Sequence, residues 1–429
     1  MDQPTLQSEP RHPLARFLAI NRTVAIVLVA VLFFGLGEEL WSSFMPLYLK
    51  ALTKEQLREG VAIGWATLWT VGLYACLRNI FEGFCYIGGG QLTARLGDRG
   101  SLLLFALLTI SGYVLFLAVE APWAAILAAL LILGWEPLSV PVTFTTVGTT
   151  VASGRHGMAF AVQSIQKRLP KVIGPFLAGW VLFFAQKATG SSTQGDITGM
   201  RWLVAGALLL GLASLGVQLR WMPHHPVPPR GPSSLQILRQ LHPNLRRLLT
   251  AEVFTRWCDW LVREFVVLYI VVVRGVPVEQ AGALFMLQHL VALMTYLPIG
   301  RMTKTVGLQP FIGVTFVFFA LFPLVLAIVP DGPWLWVAFV VYGLREIGEP
   351  ARKAMITSLM PESIRARGVG LYWGVRSFAI CTASLVGAVI WFYYGPQSLL
   401  YIAFALGCVG AAVFYLFCRC LNEAVAQPT

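Results

Sequence analysis

The chain has 429 residues, 57% of them hydrophobic and only 12% charged, with a formal net charge of +12. Soluble domains carry about 25% charged residues, so this composition excludes a soluble globular protein and makes the lipid bilayer the expected solvent. The basic residues sit in short connections between apolar runs, the pattern that sets membrane topology, and nucleic acid is therefore not an expected partner.

Residues 1–22, MDQPTLQSEPRHPLARFLAINR, are polar and Pro-containing for too long to be a signal peptide, and predict a cytoplasmic tail. Twelve apolar runs follow, at roughly 23–49, 66–90, 101–121, 123–152, 157–186, 201–219, 250–272, 281–299, 309–329, 333–360, 368–394 and 397–418. A helix needs about 20 residues to cross a core about 30 Å thick. Long runs without alternation predict helices, not barrel strands. Kinks are predicted at Pro137, Pro141, Pro170 and Pro350.

With the N-terminus inside, sixteen Lys and Arg fall in cytoplasmic connections and tails and six on the opposite side. Both termini are predicted to be cytoplasmic. Residues 220–249 hold five arginines and no acid behind a Pro-rich first half, and read as a basic linker between bundles 23–219 and 250–420, with 421–429 a second tail. His224–His225 has no Cys or carboxylate near it and reads as solvated loop, not a metal site. The cysteines (76, 85, 258, 381, 408, 418 and 420) fall in or beside apolar runs, so neither disulfides nor zinc are expected.

The halves echo each other. Tyr86/Tyr296, Gly90/Gly300, Gly97/Gly307, Glu136/Glu346 and Arg155/Arg365 are each 210 residues apart, and Gly157/Gly368 are 211 apart. A near-constant offset points to an internal repeat, and repeated halves with a central site are a common transporter plan.

On these features the chain resembles the major facilitator superfamily. GQLTARLGDR (90–99) is similar to the family's signature loop after the second span, Gly-x-x-x-Asp-Arg-x-Gly-Arg-Arg, with Gly90, Arg95, Gly97 and Arg99 matching. Ala94 stands where the family has the Asp that helps latch the cytoplasmic gate, and Asp98 is the candidate substitute. The second copy, GRMTKTVGLQ, keeps Gly300 and Gly307. GPFLAG, with Gly174, Pro175 and Gly179, is similar to a motif associated in this family with antiporter-type exporters; a plain close helix contact explains it equally well. The resemblance implies an all-α, polytopic, multi-pass protein of the inner or plasma membrane. Its twelve transmembrane helices would form two pseudo-symmetric six-helix bundles, in a monomer.

Charges inside spans carry the functional reading. A charge near the bilayer centre costs about 2.5–3.5 kcal/mol on insertion scales, so it persists only toward a bundle interior or aqueous cavity. Glu38, Glu39 and Glu136 have no base in their own spans; with Asp259 and Glu346 they are the proton-site candidates. Arg78/Glu82 and Asp259/Arg263 are spaced i, i+4, as internal pairs would be. On one continuous helix, Arg345, Glu349 and Lys353 would share an inward stripe, with Arg352 and Lys353 near enough to the cytoplasm to snorkel. Lys167, Arg168 and Lys171 have no acid in their span, and read as counter-charges either to the acids or to an anionic ligand. Trp257, Glu264, His289 and Arg376 complete the substrate or counter-ion set, although the aromatic residues and His289 read more readily as packing.

No Gly-x-x-x-x-Gly-Lys-Ser/Thr loop, HExxH or nucleophile elbow is present, so no enzyme activity, cofactor or metal is expected. Three functions stay open: proton-linked export of a small amphipathic compound, slightly favoured; carriage of an organic anion; and a non-transporting membrane sensor or assembly protein.

Overall fold

A computed structural model describes residues 22–55, 63–138, 156–221, 243–360 and 365–417. All regular structure among them is helical. In chain order it runs α1 Arg22–Glu39, α2 Met45–Thr53, α3 Trp65–Ala118, α4 Pro122–Leu133, α5 His156–Thr189, α6 Ser192–Trp221 and α7 Pro243–Val262. Then come α8 Val278–Val306, α9 Gln309–Ile328, α10 Leu335–Leu344, α11 Glu349–Ser358, α12 Arg365–Ile380 and α13 Ala383–Phe417.

Seven helical stretches among the described residues are long and apolar enough to cross a membrane. The predicted spans 66–90, 250–272 and 333–360 are not among them, because charged side chains interrupt their apolar character. Pro122–Leu138 is apolar but short. The expected linker is shorter than predicted: Pro243–Thr250 already form turns of α7, and 222–242 lie outside the described residues. Arg155, Pro141 and both tails also lie outside them.

The connection at 91–100 is helical rather than a loop. Within α3 only Gly97 leaves helical geometry, at φ 70°, ψ 173°. A chain reversal concentrated in one residue needs the positive φ that glycine alone adopts cheaply. Gly307, its partner in the 210-residue offset, ends α8 at φ 86°, ψ 177°. The repeat is thus visible in backbone conformation as well as in sequence.

Several predicted spans are interrupted, three of them at the centre of the molecule. The first breaks after Glu39 into a 3₁₀ turn, Ser42–Phe44, before α2. The seventh breaks after Val262 into a 3₁₀ turn, Arg263–Phe265, then Val266–Leu268 and a π turn, Tyr269–Val273. The tenth breaks between α10 and α11. Its cause is local: Gly348 N–H donates to Thr315 Oγ1 at 2.6 Å, and Pro350 opens α11 without a donor to continue the ladder. At the seventh-span break, Ser384 Oγ donates to the Trp260 carbonyl at 2.6 Å, satisfying an acceptor freed by the helix end. Pro170, by contrast, sits within a continuous α5.

Helices up to Trp221 pack on one another, as do those from Pro243 onward. The two sets meet along two seams, α5 against α8 and α3 against α12 and α13. Glycines set both distances. A Cβ on Gly179 would lie 2.7 Å from the Val278 carbonyl and 3.1 Å from Gly282 Cα; one on Gly83 would lie 2.9 Å from Phe378.

Gly179→Ala should therefore force the α5–α8 seam apart, costing about 1–3 kcal/mol. Gly206→Ala, where a Cβ meets nothing within 4 Å, should leave stability unchanged. Thermal unfolding in detergent separates them; equal midpoints would remove the glycine contact as the seam's determinant.

Candidate functional site

Between the two sets of helices lies a cavity of about 890 Å³. Its inner end holds Glu38, Arg263 and Arg345; its outer rim includes Gly300, Trp373 and the exposed Lys353 and Ala354. It therefore opens toward the side of the Gly97 and Gly307 turns. Beyond the inner end the chain is closed by aromatic packing: Phe44 on Phe285 at 6.3 Å, Phe285 on Phe339 at 5.4 Å, and Phe322 stacked on Tyr342 at 3.7 Å.

The helix breaks deliver charge to this cavity. Glu38 and Glu39 end α1, Asp259 and Arg263 flank the end of α7, and Arg345, Glu346 and Glu349 flank the α10–α11 break. The stripe expected of one continuous helix at 345–353 is corrected accordingly. Arg345 caps α10, and Glu349 begins α11 with Lys353 at 3.4 Å. A carboxylate in a helix's first turn also meets the positive end of its dipole.

Ion pairs tie the breaks together. Buried Asp259 pairs with Arg345, and lies 3.5 Å from Arg263 and 3.8 Å from Arg256. The Arg345 guanidinium lies 3.9 Å from the Tyr342 ring centre. Each helix-five base has an acid on another helix: Lys167 with Glu136 at 3.9 Å, Arg168 with Glu346 at 3.0 Å, Lys171 with Glu39 at 3.4 Å. Each of the three bases thus stands against an acid in this structure. Glu136 and Glu346, partners in the internal repeat, thus pair with consecutive residues of α5. Among the described residues Glu38 is buried and makes no ion pair.

Among the described residues, two pairs cross between the sets of helices. Arg168–Glu346 is one; the other is Arg78, which holds Glu82 at 2.9 Å within its own helix and Glu264 at 3.6 Å across the seam. Each of these arginines also lies over an aromatic ring of the opposite set, Arg78 over Trp260 at 5.7 Å and Arg168 over Tyr296 at 5.1 Å.

Residues 251–424 match the sequence profile of the Major Facilitator Superfamily. The chain is 25% identical over 332 residues to the multidrug resistance protein MdtH of Yersinia enterocolitica serotype O:8 / biotype 1B, covering 76% of this chain and 77% of that one. Among solved structures it resembles the nucleoside transporter NupG at TM-score 0.69 and 15% identity, covering 91% and 99% of the two chains. A D-xylose–proton symporter gives TM-score 0.69 at 14% identity over 92% and 97%. The human organic anion transporter MFSD10 gives 0.62 at 16% identity over 91% and 98%. The family match thus covers the second half of the chain, residues 251–424, and the chain as a whole shares the fold of these solved transporters. Its apolar helices are of membrane-spanning length, and the matched family and the solved neighbours are transporters rather than enzymes.

Among the described side chains of the signature loop, contacts stay within the first set of helices. Arg99 donates to the Leu219 carbonyl at 3.0 Å, at the end of α6 in its own half, and Arg95 is exposed. The side chain of Asp98 and its neighbourhood lie outside the described residues, while Gly90 stays in α3 and Gly300 lines the cavity. The helix-five motif makes close contacts: a Cβ on Gly174 would lie 2.7 Å from the Glu39 carbonyl oxygen, and Pro175 and Gly179 face Gly282.

His289 and Arg376 line the cavity; Trp257 does not, and its indole donates to the Ala379 carbonyl at 2.8 Å. His289 Nδ1 is buried without a partner among the described residues. Arg352 does not snorkel: it is buried and pairs with Glu252 and Glu349. Glu252 was absent from the candidates, yet it also takes Arg376 at 3.0 Å and the Tyr372 hydroxyl at 2.5 Å. Its signal is readable afterwards: Glu252, Arg256, Asp259 and Arg263 fall at i, i+4, i+7 and i+11, one face of a helix.

Removing one member of a buried pair leaves the other charge uncompensated, at about 3–5 kcal/mol. Asp259→Asn and Arg345→Met should each destabilise the protein by that order, and the double variant by clearly less than their sum. Strict additivity in a denaturation cycle would mean that Arg256 and Arg263, not Arg345, neutralise Asp259.

Proposed function

We propose that this transporter is a proton-coupled secondary carrier of a small organic anion, working by alternating access between two six-helix bundles. One observation carries the reading: among the described residues, ten lysines and arginines line the cavity against five glutamates. Two of the acids that balance them sit behind. Asp259 and Glu252 side chains are 0% and 1% exposed, whereas Arg263, Lys171 and Lys167 expose 32%, 27% and 25%. A solute entering the cavity meets the cations. Such a site, shielded from water, strengthens each contact to an anion, and a volume of about 890 Å³ suits a small molecule.

In this reading the twelve runs all span, spans one to six and seven to twelve form the two bundles, and 220–249 includes their linker. The bias of Lys and Arg places the Gly97 and Gly307 turns, and both termini, in the cytoplasm of a cell whose inner or plasma membrane holds the monomer. The cavity then faces inward. Glu38 is the proton site, as the buried cavity acid without a cation on it; Glu39, Glu136 and Glu346 exchange their bases with substrate or proton during the cycle. Asp259 fixes Arg345. His289, beside these groups, is a second proton acceptor.

A second reading is proton-linked export of an amphipathic compound, favoured by the likeness to a multidrug resistance protein and by GPFLAG.

Thermal stabilisation by a compound panel sorted by charge tests both. A ligand of the folded state at about a hundred times its Kd adds roughly 2.7 kcal/mol. Organic anions should stabilise the wild type and fail on a Lys167→Gln/Lys171→Gln variant. Stabilisation by lipophilic cations, lost in Glu38→Gln, would replace the anion reading with the exporter. In proteoliposomes Glu38→Gln should abolish uptake driven by a pH gradient while sparing exchange of the stabilising anion; full gradient-driven uptake would remove Glu38 from coupling.

A further inference from the structure

We infer that Cys76 and Cys381 form a reversible disulfide site that clamps the α3 seam between the two halves of the carrier. The two residues come from opposite halves. Cys76 is buried in the middle of the first segment of α3; Cys381 is half-buried and occupies the short interruption between α12 and α13. Ala75, beside Cys76, packs in one buried cluster with Ile380 and Ala383, which flank Cys381. The other described cysteines do not bridge the halves: Cys258 Sγ, for example, donates to the Phe319 carbonyl at 3.3 Å within its own half.

The backbones around the pair are held close on both sides. One turn before Cys76, a Cβ on Gly72 would lie 3.0 Å from the Ser384 carbonyl, and two turns after it one on Gly83 would lie 2.9 Å from Phe378. Disulfides need just such a short backbone separation. Cys381 lies outside regular helix, between Ile380 and Ala383, so its sulfur can turn toward Cys76 without unwinding a helical turn.

The reaction needs a two-electron oxidant, and a hydroperoxide balances it. One sulfur attacks the peroxide oxygen, giving a sulfenic acid and releasing an alcohol. The second sulfur then displaces the sulfenic oxygen, which leaves as water, and the S–S bond forms. A dithiol reductant reverses the step. Ser377 and Ile380 line the cavity beside Cys381, which gives a small oxidant a route from the aqueous side.

The consequence follows from where the bond lies. The seam is closed from Trp65 on Phe392, at 5.1 Å, to Tyr86 on Trp373, at 5.5 Å. Opening the opposite face of the carrier requires the Trp65 end to separate. A covalent link in the middle of α3's contact would hold that end shut and keep the cavity open on its present side. This inference does not depend on what the carrier moves.

The purified protein is treated with cumene hydroperoxide, alkylated with N-ethylmaleimide, digested and mapped by mass spectrometry, with hydrogen exchange followed in parallel. Expected are one linked peptide pair containing Cys76 and Cys381, its loss with dithiothreitol and in Cys381→Ala, and slower exchange over 65–75 in the oxidised protein alone. Cys76 remaining alkylated after oxidation, or linked to another cysteine, overturns the site. A Cys76–Cys381 link that leaves exchange at 65–75 unchanged overturns the clamp. Cys76→Ser serves as the reciprocal variant, and exchange in untreated Cys381→Ala shows that the seam itself is intact.

Discussion

A charge inside a hydrocarbon core is stable only beside its opposite, and the arrangement of this carrier follows from that constraint. No helix here neutralises its own charges in full. α5 brings three bases to the cavity and no acid, and their partners come from α1, from the segment after α4 and from the break between α10 and α11. Asp259 on α7 needs Arg345 from the end of α10. Each pairing fixes which helices must be neighbours and at what depth, so the buried ions specify the architecture more sharply than apolar burial can in a solvent as apolar as the side chains.

The same constraint explains why the helices break where they do. A continuous helix offers an inward charge only one stripe, and its backbone groups are all taken. Ending α1, α7 and α10 inside the protein turns successive residues toward different partners: Arg345 toward Asp259, Glu346 toward Arg168, Glu349 toward α11's own bases and Arg256. The freed backbone groups are bound by side chains, as Gly348 is by Thr315 and the Trp260 carbonyl by Ser384. Interrupted helices at a central site are tolerated in membranes only where protein or a water-filled cavity replaces lipid, which is the situation here.

Much of this was legible in the sequence, and the remainder fails for definite reasons. Composition and run length gave the helical, membrane-embedded class, and the 210-residue offset marked Gly97 and Gly307, which share a backbone conformation. Spacing of four residues found Arg78–Glu82 and Asp259–Arg263, because such pairs are encoded in one helix. Pairs between helices are not encoded by spacing, so Glu136–Lys167 and Glu39–Lys171 were visible only as unmatched charges. The stripe at 345–353 failed because periodicity assumes a continuous helix, although Gly348 and Pro350 already signalled an end. Glu252 was overlooked because it stood near the edge of its apolar run, where a carboxylate has an innocent solvated reading.

The ion pairs are unequal in what they leave exposed, and that inequality separates structure from function. Where acid and base are both buried, as at Asp259–Arg345 and Glu252–Arg352, the pair is part of the scaffold: the acid is shielded and its arginine shows the cavity only an edge. Where the base is the more exposed partner, as at Lys171–Glu39, a small anion can compete for the cation from the cavity. The two pairs that join the halves, Arg168–Glu346 and Arg78–Glu264, are of intermediate exposure. They are also few. Rocking one half against the other must break them, and a small number of part-solvated pairs at 3.0 and 3.6 Å costs far less to exchange than the dry network inside either half. The carrier thus concentrates its strongest electrostatics within each rigid body and leaves the weaker, wetter pairs at the boundary that has to move.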